Sequence, residues 1–135
     1  MVAVLKVTWL SDDGRYFNAT ISRLYKGELQ TGTIRGINDV YCDPVVKQLG
    51  SWLIYGTAQK DGFYVEPCGL ARSIQQPELN RDFNVVPAPQ PPPGSGSEAM
   101  DAATKRKQEG EAVYVHAARE TLAVELATLE KLCAP

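Results

Sequence analysis

The sequence predicts a mainly β protein with a helical C-terminal arm: a small closed or partly closed barrel of five short strands, then a linker, then an amphipathic helix. Three observations carry this. Residues 1–86 hold ten of the eleven aromatic side chains and eight of the eleven glycines. Within them, five short runs rich in β-branched and aromatic residues are separated by Gly, Pro and Asp turn signals. Beyond them, a Pro/Gly/Ser stretch gives way to an alanine-rich segment with helical periodicity. These shifts divide the chain into a barrel over 1–86, a linker over 87–97 and a helical arm over 98–135.

Val2 to Leu10 is the first strand, rich in Val, Leu, Thr and Trp. Asp12-Asp13-Gly14 reads as the hairpin turn after it. Tyr16 to Tyr25 is the second strand. Phe17, Ala19, Ile21 and Tyr25 share one face, with Arg23 the exception, and Asn18, Thr20 and Ser22 share the other. Lys26-Gly27 stops it. A third strand is expected within Thr31 to Tyr41, weakened by Gly32 and Gly36, and Asp43-Pro44 breaks it. Ser51 to Ala58 is the fourth. Lys60-Asp61-Gly62 signals a second hairpin, leading into Phe63 to Glu66 as the fifth. Five short strands at this spacing favour a small barrel over a parallel sheet.

Ser73 to Phe83 is polar and contains Pro77, so a loop with a short helical turn is expected there. The stretch from Pro87 to Ser97 begins as extended polyproline-like chain and ends as flexible Gly-Ser coil. Helix follows from about Glu98, with Gly110 expected to break or kink it. Val115, Ala118, Leu122, Leu126, Leu129 and Cys133 recur at spacings of three and four and form one apolar stripe, the expected contact face. Arg119, Glu120, Glu125, Glu130 and Lys131 fall on the remainder. Packing of this helix on its own barrel is the first expectation, and a neighbouring subunit or another protein's helix the second.

The chemistry expected of enzymes is hard to place on this chain. It has no G-x-S-x-G, no Walker-type loop and no H-E-x-x-H. Its one histidine, His116, sits in the predicted helix and reads as a surface or half-buried residue. Cys42, Cys68 and Cys133 lack the paired spacing of a structural zinc site. No catalytic residue, metal or cofactor is expected. Asp12 and Asp13 beside Gly14 read as turn residues. With 14 Lys+Arg against 16 Asp+Glu, the formal charge is −2, and residues 1–86 balance nine against nine. That argues against nucleic acid as a partner. Lys105-Arg106-Lys107 is offset by Glu98, Asp101 and Glu109. No apolar run reaches the roughly 18–20 residues that span a bilayer. Three cysteines leave at least one free or paired outside the chain. Asn18-Ala19-Thr20 is an N-glycosylation acceptor triplet on the polar face of its strand, where a glycan is tolerated.

Two segments carry a family signal. One is Ile21-Ser22-Arg23-Leu24-Tyr25-Lys26-Gly27. The other is Gly50-Ser51-Trp52-Leu53-Ile54-Tyr55-Gly56 followed by Asp61-Gly62-Phe63-Tyr64-Val65-Glu66-Pro67-Cys68. With Cys42 between them, residues 2–75 resemble the netrin-like module of tissue inhibitors of metalloproteinases and their relatives. The likeness extends more loosely to the helix ending at Cys133. It implies a five-stranded OB-type Greek-key barrel with a helix packed on it, in a secreted, disulfide-bearing protein.

Family inhibitors grip the protease zinc through the amine and carbonyl of the first residue of a cysteine-bearing N-terminal segment. Here Met1 opens directly on the first strand, and no signal peptide is visible. The family ties the cysteines matching Cys42 and Cys68 to that segment, so in this chain a Cys42–Cys68 disulfide is the expectation. Cys133 is then left free or intermolecular. Asp39-Val40-Tyr41 match what remains of the family's binding ridge. The expected function is a non-catalytic extracellular protein-binding module. Its partner is a protein, other copies of itself included. The alternatives are a structural subunit of an extracellular fibre or assembly, and a metalloproteinase inhibitor lacking the zinc-gripping segment.

Overall fold

The computed structural model describes residues 1–28, 32–38, 44–59, 62–66, 71–79, 92 and 96–133. Strands β1 (Val2–Leu10), β2 (Tyr16–Lys26), β3 (Thr33–Ile37), β4 (Gly50–Gln59), β5 (Gly62–Val65) and β6 (Arg72–Ser73) precede a 3-10 turn (Pro77–Leu79) and one helix, α1 (Ser97–Leu132). The strand order is β1-β2-β3-β5-β4, and β4 pairs back onto β1, which closes the barrel. β3 and β5 run parallel, and the other pairs are antiparallel. This is an OB-type barrel with a helical arm.

Alternation builds the core. Ala3, Leu5 and Val7 of β1 point inward, with Phe17 and Ala19 of β2, Trp52 and Ile54 of β4, and Phe63 and Val65 of β5. All are essentially inaccessible to solvent. Gly36 of β3 lies directly under the Phe17 ring, and a Cβ there would overlap it. The glycine that weakens the third strand by propensity is thus what lets a phenylalanine fill so narrow a barrel.

Three register shifts between β1 and β2 adjust the pattern. Val4 pairs with Arg23 and Leu5 with Ile21, so Ser22 is the extra residue. The shift turns Arg23 outward and accounts for its departure from the inward face. The other two fall between Val2 and Ala3 and between Val7 and Trp9.

The first turn forms as expected: the Gly14 amide donates to the Ser11 carbonyl at 2.9 Å, and Gly14 has φ +69. The loop after β5 adds the short strand β6 on β4, which local sequence does not signal; its residues pair with Trp52 and Leu53.

The expected break at Gly110 does not occur. α1 is one continuous helix of 36 residues. An interior glycine costs about 1 kcal/mol relative to alanine, and the Ala, Glu, Lys, Arg and Gln residues around it outweigh that. The helix starts at Ser97, at the end of the expected linker. The other linker residues, apart from Pro92 and Gly96, lie outside the described set.

Candidate functional site

The outer face of β1, β2 and β3 carries the most conspicuous surface feature of the barrel. Inward alternation through Ala3, Leu5 and Val7 would send Trp9 into the core. The bulge at Thr8 reverses this. Trp9 pairs with Asn18, and Leu10 pairs with the inward Phe17, so Trp9 stands outside at 49% exposure. The Thr8 hydroxyl donates to the Asn18 carbonyl at 3.3 Å across the bulge. Asn18 pairs in turn with Arg35 of β3. Trp9, Asn18 and Arg35 therefore form one row across three strands. The Arg35 guanidinium lies 4.3 Å from the centroid of the Tyr16 ring on the same face. Asn18 itself is half-buried. Composition alone does not reveal the exposed tryptophan, because a single inserted residue decides its side of the sheet.

A second feature lies at the barrel end that holds the first turn. Asn38 is fully buried. Its Nδ2 donates to the Gly14 carbonyl at 2.7 Å and to the Val46 carbonyl at 3.1 Å, and its Oδ1 accepts the Val46 amide at 3.1 Å. One side chain thus ties the first turn to the chain entering β4. Beside it lies a shallow cleft of about 380 Å³ lined by Leu10, Ser11, Asp12, Pro44 and Lys47. The Ser11 hydroxyl donates to Asp13 at 2.6 Å, and the Arg15 amide donates to the same carboxylate. These bonds hold the Asp13 carboxyl below its ordinary pKa. This confirms the turn reading of the aspartates. The expected ridge, Asp39, Val40 and Tyr41, and the expected Cys42–Cys68 pair lie outside the described residues.

The third feature is the helix–barrel junction. Leu122 is buried, and Val115, Ala118, Leu126 and Leu129 are half-buried along the same stripe of α1. Cys133, the last residue of that stripe, is exposed and free. Glu125, expected on the solvent side, instead turns inward. It accepts the Tyr55 hydroxyl at 2.5 Å and lies 3.8 Å from the Arg72 Nε. Leu53 is fully buried although it faces away from the core cluster. It pairs with Arg72 and stands two residues from Tyr55, the two side chains that meet Glu125 of α1. Arg23, freed by its bulge, bonds Glu130 at 2.8 Å. Ahead of Tyr114, nearly every residue of α1 is exposed, so only its C-terminal half is docked. His116 is exposed beside Glu120, as the surface reading expected.

The Met1 main chain pairs with Gly56 of β4. Its amine donates to the Gly56 carbonyl at 2.6 Å, and its carbonyl accepts the Gly56 amide at 3.2 Å. Among the described residues, no three or more His, Cys, Asp or Glu side chains converge as a metal site, and no helix is long and apolar enough to cross a membrane.

Neither a family model, nor a curated protein, nor a solved structure matches the chain.

Proposed function

We propose that this chain is a non-catalytic extracellular protein-binding module of netrin-like type. The observation that carries the reading is a helix docked on a closed OB-type barrel by only half its length. Residues Ser97 to Val113 run clear of the barrel and offer a contact surface. The motifs that resemble the netrin-like module support the extracellular placement, and the barrel's strand order agrees with that likeness. The test is retention of a protein from fractionated native medium on the immobilised full chain, repeated with Met100→Asp and Val113→Asp together. Retention that these substitutions abolish supports the module. No specifically retained protein, or one indifferent to the arm, argues against it.

A structural subunit is the second reading. It is favoured by the free Cys133 at the end of α1 and by Val113, Val124 and Leu132, which are 70%, 67% and 76% exposed. Light scattering that shows a uniform monomer at high concentration, reduced or oxidised, would sink it.

A further inference from the structure

We propose that Asn18 carries an N-linked glycan whose first sugar packs on the Trp9 indole, so that the outer face of β1–β3 is covered by carbohydrate rather than by a protein partner. The inference rests on the extracellular reading. It starts from the bulge at Thr8, which takes a tryptophan that alternation assigns to the core and leaves it half in solvent. A bulge that re-aims a side chain is a built feature of a strand. Its effect is to place the indole directly opposite the amide of an Asn-Ala-Thr acceptor triplet. Side chains directly opposite on antiparallel strands have Cβ atoms about 5 Å apart. That is within reach of the first sugar attached to Asn18.

The triplet is suitably presented. Ala19 is buried inward, which turns Asn18 and Thr20 outward together. Asn18 makes no side-chain hydrogen bond within the described residues, so substitution at Nδ2 breaks none. In the transfer, Nδ2 of Asn18 displaces a lipid diphosphate from C1 of N-acetylglucosamine. The N–C1 bond forms, the C1–O bond breaks, and one amide proton is lost to base. The donor is a lipid-diphosphate-linked oligosaccharide, and no oxidation occurs. The apolar C–H face of the sugar then lies on the indole, with its hydroxyls toward water.

The experiment expresses the full chain behind a secretion signal in a eukaryotic cell. Intact mass is measured before and after an amidase that removes N-glycans. A mass loss that Asn18→Gln and Thr20→Ala both abolish establishes the site, and a secreted chain without glycan overturns it. Packing is read from thermal midpoints. Deglycosylation is expected to lower the wild-type midpoint by about 4 °C, to leave Trp9→Ala unmoved, and to act on Trp9→Phe much as on wild type. An equal drop in Trp9→Ala and wild type overturns the packing. Chain purified from its native source but lacking a glycan that the secreted chain carries would count against the extracellular reading and not against the site.

Discussion

The hydroxyl of Tyr55 on β4 donates to the carboxylate of Glu125 on α1 at 2.5 Å and so joins residues 70 apart in the chain. Arg72 stands on the other side of the same carboxylate. This junction is half-buried, where a hydrogen bond to a charged group contributes more than an exposed ion pair does. Tyr55→Phe should therefore cost about 1–2 kcal/mol. The loss should appear as faster amide exchange from 118 to 129, with the barrel strands unaffected. Unchanged exchange along α1 would show that apolar packing alone holds the helix.

The same tyrosine predicts an alkaline response. An ordinary tyrosine ionises near 10.0; burial first, and then the Glu125 carboxylate, push Tyr55 above this. The folded chain holds that proton more tightly than the unfolded chain does. The contribution to stability is complete below the unfolded value and is lost as pH rises through the folded one. Absorbance titration should show one of the six tyrosines ionising last, together with undocking of α1. Loss of that late step in Tyr55→Phe identifies it.

Asn38→Ala removes three hydrogen bonds at once, two of them buried, and leaves two carbonyls and an amide without this partner. A loss of about 3 kcal/mol is expected by urea denaturation. A loss near zero would mean that water replaces the amide without penalty.

Gly36→Ala drives a methyl into the Phe17 ring. Overpacking of this kind costs about 1–3 kcal/mol. Phe17→Leu should relieve part of it, so the double variant should be more stable than the sum of the single losses implies. Strict additivity would place the cost in the backbone rather than in the ring contact.

Cys133 is exposed and free, so the native chain should react rapidly with one equivalent of a thiol reagent. Peptide mapping without reductant is expected to find Cys42 bonded to Cys68. That closes a loop of about 25 residues and contributes about 3 kcal/mol in the chain-entropy model. Three reactive thiols would refute the pairing.

The barrel is largely legible in the sequence, because its signals are local. Alternation marks β2, and Asp-Gly and Pro mark the turns. The residues that matter most at the surface were not legible, because each depends on something distant or on a shift of one position. Trp9 faces solvent only through the bulge at Thr8. Glu125 turns inward only because Tyr55 and Arg72 wait on the barrel. Asn38 looks like any loop asparagine until Gly14 and Val46 converge on it. Gly110 misled because helix propensity is summed over neighbours, and one poor residue does not end a run of good ones.

The closing pair of β1 and β4 also sets an order of events during synthesis. β1 finds β2 within a few residues, but its other edge pairs with Gly50 to Tyr55. Until those residues have emerged, β1 shows an unsatisfied edge to whatever is nearby, including a second nascent chain. The barrel is therefore most vulnerable to aggregation before its fourth strand has been made, and slowing translation ahead of Gly50 should lower the yield of folded protein more than slowing it afterwards.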